Sequence, residues 1–172
     1  MPIKVIKTGT EDKRQGCPKK GRIMGLDMGS KTIGVAISND AQSIATPLIT
    51  IKRSKFDSDM LSLCEVVWDF GIKSYLFGFP INMDGSHGPR CDATRSFADQ
   101  MIQYSKAHDD VFGKDPWIGL WDERLSTQAV DTFVDSRVDM PKMARKGAKE
   151  SGLTDKLAAQ FILQGFLDSI NA

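Results

Sequence analysis

Three strand-like runs follow one another with no helix between them near the start of the chain. From residue 56 onward, helix-like and strand-like runs alternate. That order limits the fold more than any other feature. Residues 22–28 and 32–38 are apolar and small, and Gly29-Ser30-Lys31 makes a tight link between them. Residues 43–51 read as a third strand, in which Pro47 requires an edge position or a bulge. Short links predict an antiparallel meander. Residues 56–70 carry apolar side chains at 60, 61, 63, 64, 67, 68 and 70, the spacing of an amphipathic helix. A buried strand over 74–79 ends at Pro80, a polar loop spans 82–90, and a helix covers 91–107. A strand at 117–121 and a helix at 126–134 with Ser126 as N-cap come next. A strong helix over 154–170, with Thr154 as N-cap, closes the chain. This order predicts an α/β fold: a mixed five-stranded sheet, a meander plus parallel strands, with helices on both faces.

A chain of 172 residues suits one domain. With 41% hydrophobic and 26% charged residues, wholesale disorder is excluded. The net charge of +1 conceals an asymmetry. Residues 1–22 hold seven basic and two acidic side chains, and residues 23–172 hold 16 basic and 20 acidic ones. The expected organisation is a flexible basic leader over 1–21 and a folded domain over 22–172. The leader either is solvated or touches a polyanion. Cys17, Cys64 and Cys91 are odd in number and form no C-x-x-C pair, which excludes a disulfide framework and a structural zinc site. No apolar run approaches the ~18–20 residues of a membrane span, and the N-terminus has no secretory apolar segment. The expectation is a cytoplasmic protein without a membrane partner, monomeric or homodimeric.

Asp27 interrupts an apolar strand where Asp fits poorly. A carboxylate buried there without a partner costs several kcal/mol. Either it caps the strand by binding the Gly29-Ser30 backbone, or it is a metal-ligating or catalytic acid at a sheet end. The stretch from Gly25 to Thr32 fails as a phosphate-binding P-loop, because only three residues separate Gly25 from Gly29 and Ser30 precedes Lys31. Asp122 and Glu123 follow the strand at 117–121, and only one of two adjacent acids can face a given side of a continuing strand. Asp155 falls in the first turn of the last helix, where the helix dipole alone would favour it. Together, Asp27, Asp122/Glu123 and Asp155 lie at ends of elements bordering one sheet. Such a carboxylate set suits Mg²⁺, a hard cation that serves phosphodiester hydrolysis. With only His87 and His108 present, histidine-centred chemistry is disfavoured, and Cys91 lacks a His–acid partner pattern.

The loop 82–90 contains Asp84, Gly85, Ser86, Gly88 and Arg90, and it opens a helix whose N-terminus can hold an anion. Lys31, Arg90, Arg95 and Arg124 are candidate phosphate contacts. Lys142, Arg145, Lys146 and Lys149 form a basic cluster ahead of Asp155 that is either a solvated face or a backbone-positioning patch.

Four motifs, GLDMGSKTIGVAIS at 25–38, GFPINMDGSHGPR at 78–90, WDERLST at 121–127 and TDKLAAQFILQGFLD at 154–168, closely resemble the YqgF/RuvX family. They span residues 22–170, all but the leader. The resemblance implies a ribonuclease H-like fold and a nuclease dependent on Mg²⁺ or Mn²⁺. Family members are described as processing the 5′ end of pre-16S rRNA and as candidate Holliday-junction resolvases. It therefore implies structured RNA as substrate, with branched DNA as the alternative. A ribosome- or nucleic-acid-binding module without catalysis is a further alternative, of another class. Carried over residue by residue, the family's acids fall on Asp27, on Asp122-Glu123 with Glu123 the first choice, and on Asp155. Asp84 and Ser86 match its substrate-side loop. Asn39, between Ser38 and Asp40, departs from the family's Ser-Asp, and the leader is a second departure, which the resemblance does not explain.

Overall fold

The computed structural model describes residues 3–6, 11–122 and 152–172. Its strands are β1 (Lys4–Ile6), β2 (Ile23–Met28), β3 (Thr32–Ser38), β4 (Ala45–Lys52), β5 (Ser74–Phe79) and β6 (Trp117–Asp122). The helices are α1 (Phe56–Phe70), α2 (Pro89–Ala107), the single turn α3 (Asp109–Phe112) and α4 (Leu153–Asn171). The strands form one mixed sheet in the order β1-β6-β5-β2-β3-β4. β2, β3 and β4 are the antiparallel meander; β5 and β6 add in parallel beside β2. The register shifts between Val35 and Ala36, which pair with Ile49 and Pro47, so the proline occupies both an edge strand and a bulge.

Among the described residues the sheet has six strands, where the sequence pattern gave five. The additional one is β1, paired in parallel with β6. Three residues in a charged, glycine-bearing context are too few to show a period of two. Other described residues of the expected leader also make contacts. Ile6 and Cys17 are buried, Arg14 donates to Gln42 Oε1 at 2.8 Å, and Gly21 N–H donates to Asp40 O at 3.1 Å.

Strand alternation builds two cores. Met24 and Leu26 of β2, Ile33 and Val35 of β3, and Tyr75, Phe77 and Phe79 of β5 face α1 and α2, where they pack with Met60, Leu63, Phe97 and Met101. The other face carries Ile23, Ala36, Leu76, Trp117 and Trp121 against Ala159, Leu163 and Phe166 of α4. Helices thus cover both faces. On the α4 side β2 and β3 present small residues. A Cβ on Gly25 would stand 2.8 Å from Leu163 Cβ, and one on Gly34 would collide with the Asp155 carbonyl. The glycines let α4 lie directly on the sheet.

The N-cap of α4 is Gly152, in the left-handed region at φ 74°, two residues earlier than the expected Thr154 cap. Thr154 lies inside the first turn, its Oγ1 buried without a hydrogen-bond partner among the described residues. The Thr50 hydroxyl of β4 donates to Gly152 O at 2.5 Å, and Gln164 binds Ala45 N–H at 2.8 Å and Ser43 O at 3.0 Å. These bonds fix α4 along the meander. The helix expected over 126–134 lies outside the described residues.

Candidate active site

Alternation places Ile23, Gly25 and Asp27 of β2 on the α4 face. Asp27 pairs with Gly34 of β3, and the backbone of Asp155 rests on that glycine. The two acids therefore meet because the residue across the ladder from Asp27 has no side chain. Burial pushes the Asp27 carboxyl up to about 6; Arg90 pulls against the rise and Asp155 adds to it. Among the described residues, no hydrogen bond reaches the Asp27 carboxylate. Gly29 N–H, which a strand-capping Asp would take, donates to Thr32 O at 2.9 Å. The capping alternative for Asp27 is thus not the one the fold adopts.

A cleft of about 480 Å³ opens beside this pair, lined by the turn from Met28 to Thr32, by Arg53, by Pro89, Arg90 and Thr94 of α2, and by Asp155. Lys31 and Arg90, both expected to contact substrate, lie on its wall. Arg53, which no motif marked, lies there too. A lone arginine between a strand and a helix carries no sequence signal; only the tertiary fold brings it to the cleft. Arg95 lies deeper along α2, its guanidinium 5.6 Å from the centre of the Phe79 ring.

Asp122 is displaced from the acid pair. It pairs with Phe79, and Ile118 and Leu120, its same-face predecessors on β6, belong to the core under α1 and α2. It therefore projects from the face opposite Asp27. Asp84 and Ser86 are exposed and bind each other. Asp84 Oδ1 accepts from Ser86 N–H at 2.9 Å and from its hydroxyl at 2.6 Å, and these bonds hold the Asp84 carboxyl below its ordinary range. Asn82 completes the loop, donating from Nδ2 to Ser86 Oγ at 3.0 Å. Glu123, Arg124, Lys142, Arg145, Lys146 and Lys149 lie outside the described residues. Arg22 immediately precedes β2, so it sits at the opposite end of that strand from Asp27, roughly 17 Å away, and Lys19 and Lys20 lie further back along the chain.

Two carboxylates, one of them without a hydrogen bond among the described residues and burdened by burial and by a like charge, fit a hard divalent cation. No third acid, histidine or cysteine joins them among the described residues.

A mixed sheet that begins with an antiparallel meander, covered by helices on both faces and bearing an acid on its central strand beside an acid of the last helix, defines a ribonuclease H-like nuclease. The fold is shared with a fowlpox virus resolvase solved with its Holliday-junction DNA substrate, at TM-score 0.50 and 12% identity, covering 88% of this chain and 99% of that one. The chain belongs to the RuvX family, whose model, described as "Holliday junction resolvase", matches residues 21–169. Relatives named "Putative pre-16S rRNA nuclease" occur in Rhodospirillum centenum, 42% identical over 89% of this chain and 76% of the relative, and in Rhodospirillum rubrum, 39% identical over 99% and 95%. The family is one of nucleases, hydrolases acting on phosphodiester bonds.

Proposed function

We propose that this chain is a divalent-metal-dependent nuclease that hydrolyses phosphodiester bonds in the 5′-end processing of pre-16S rRNA. The observation that carries the reading is the meeting of Asp27 and Asp155 at the edge of a cleft lined with cations. Asp27 and Asp155 would hold Mg²⁺ or Mn²⁺, with Glu123 as the third ligand. Asp122 projects from the face opposite Asp27, which leaves Glu123 as the member of the pair assigned to the metal. The bound metal supplies activation of a water and charge neutralisation at the departing oxygen. The chain's own side chains do the rest. Lys31 and Arg90 bind the substrate backbone, and Arg90 also moderates the charge of Asp27 before metal arrives. The basic residues at 142–149 and Arg124 extend the backbone contact, and the Asp84–Ser86 loop stands at the substrate side.

The names of the relatives favour ribosomal RNA; the description of the family model favours a branched-DNA substrate, and that is the second reading. Phosphate contacts position a nucleic acid but carry little sequence information, so the cleft does not choose between them. No helix among the described residues is long and apolar enough to cross a membrane; the proposed setting is the cytoplasm, with the chain acting as monomer or homodimer. The test is side-by-side cleavage of a precursor rRNA leader and a four-way DNA junction by wild type and Asp27→Asn, with Mg²⁺ and with a chelator. Metal-dependent cleavage of the RNA that Asp27→Asn lacks is expected. Equal cleavage by the two proteins would overturn the site, and preference for the junction would overturn the substrate.

A further inference from the structure

We propose that Arg53 is a phosphate-binding residue of the cleft, holding a substrate phosphate beside the one cleaved. The assignment rests on the nuclease reading and extends it to a residue that no motif supplies. Arg53 follows β4, and three neighbours pin its guanidinium. Nη1 donates to Gly29 O at 2.8 Å, Nε lies 3.9 Å from Asp59 Oδ2, and the Phe97 ring centre is 5.8 Å away. Each neighbour is itself fixed. Asp59 is 2% exposed and its Oδ1 accepts Ser54 N–H at 3.0 Å, and Phe97 is buried against Phe56 and Phe77. Arg53 N–H also donates to Lys31 O at 2.9 Å, so the residue grips the β2–β3 turn twice.

A guanidinium has five N–H donors in one plane. Gly29 O takes one, and the 3.9 Å separation from Asp59 is an ion pair rather than a close hydrogen bond. The remaining Nη hydrogens have no partner among the described residues, the side chain is 30% exposed, and the residue lines the cleft with Lys31 and Arg90. An arginine needed only to neutralise Asp59 has no reason to reach Gly29 and present an open edge to a cavity. A fork held rigid on three sides and open on the fourth suits an anion with paired oxygens, because little side-chain entropy remains to be lost on binding. Gly29 is two residues from Asp27, within about 7 Å of chain, which sets the bound phosphate next to the acid pair. Lys31, Arg53 and Arg90 then form a cationic rim along which a strand can run past Asp27 and Asp155.

The experiment measures binding of a short fluorescent single-stranded RNA to the full chain in chelator, by anisotropy across a KCl series. Wild type, Arg53→Gln, Arg53→Lys and Asp59→Asn are compared, with circular dichroism to confirm folding. Each phosphate contact on a single strand contributes about 0.7 to the slope of log K against log salt. Arg53→Gln is expected to flatten the slope by about that amount and to weaken binding several-fold at low salt. Asp59→Asn keeps the slope, since the cation remains. Arg53→Lys keeps the slope and loses affinity several-fold, because an ammonium cannot serve Gly29 O and a phosphate together. A folded Arg53→Gln with the wild-type slope would overturn the proposal, leaving Arg53 as a brace for the turn. Should Arg53→Gln fail to fold, wild-type affinity in Arg53→Lys would overturn it equally. Cleavage with Mg²⁺ is scored in parallel. A flattened slope in a chain that cleaves nothing removes the nuclease reading and keeps the phosphate contact; an unchanged slope in a chain that cleaves does the reverse.

Discussion

Replacing Asp27 by Asn is expected to make the metal-free protein more stable while removing its cleavage. The Asp27 carboxyl rises from an ordinary 3.8 to about 6 on folding. That rise corresponds to about 3 kcal/mol against the ionised form in the native state. The side chain is half-buried, and water screening reduces the expected penalty to between about 1 and 3 kcal/mol. The sign follows from proton linkage. Between pH 3.8 and 6 the native state binds more protons at this site than the unfolded chain, so stability falls as pH rises through that window. Below it both states are protonated and no penalty exists; above pH 6 the penalty is complete. Asn has nearly the shape of the protonated acid and does not titrate. Wild type and Asp27→Asn should therefore melt alike near pH 4 in chelator, and the variant should gain steadily to pH 7–8. For a chain of this size the gain amounts to roughly 3–10 °C in Tm. Mg²⁺ should then raise the Tm of wild type and leave the variant unmoved, because a ligand stabilises the state that binds it. Thermal melts at pH 4, 6 and 8, with and without Mg²⁺, check each statement. A variant no more stable than wild type at pH 8 in chelator would refute the argument that Asp27 is an unsatisfied charge kept for a ligand.

Gly34→Ala should force the first turn of α4 away from β3, costing about 1–3 kcal/mol of stability. Cleavage should fall by about 100-fold, because Asp155 would then be displaced from Asp27; denaturant melts and single-turnover rates separate the two effects. Arg90→Gln removes the cation that draws the Asp27 pKa down, so the acid limb of the pH–rate profile should move to higher pH. A limb that stays in place would show that Asp27 does not control it. Ile6→Ala should destabilise the protein by about 2–4 kcal/mol in urea, since Ile6 is 1% exposed; a surface-like cost would mean that β1 contributes nothing to the fold.

Most of the framework was legible in the sequence because its elements are long and locally patterned. The apolar runs of β2 to β6 and the helical spacing of α1, α2 and α4 fall within a residue or two of where the structure has them. Pro47 announced its edge strand and bulge for a steric reason that needs no context. What escaped depends on distant partners. β1 exists because β6 offers an open edge, and Ile6 finds its pocket beside Trp117 in a core assembled mainly by α4. The cap of α4 moved from Thr154 to Gly152 because Thr50, a hundred residues earlier, takes the Gly152 carbonyl. Within the site, Asp27 and Asp155 were readable as acids at element ends. Their meeting through Gly34 was not, and neither was the placement of Arg53. Asp122 and Glu123 are adjacent in sequence, and only the register of β6 sends Asp122 to the far face.

The pairing of β1 with β6 also bears on the order in which the chain is made. Lys4 is aligned with Gly119, so this strand is synthesised 115 residues ahead of the partner it pairs with. Until β6 is synthesised, the Lys4–Ile6 strand has no edge to join. Closing so long a loop delays pairing without greatly weakening it once formed. Positions 1–22 carry seven basic residues, and charges of that kind discourage an unpaired strand from pairing with a neighbouring chain.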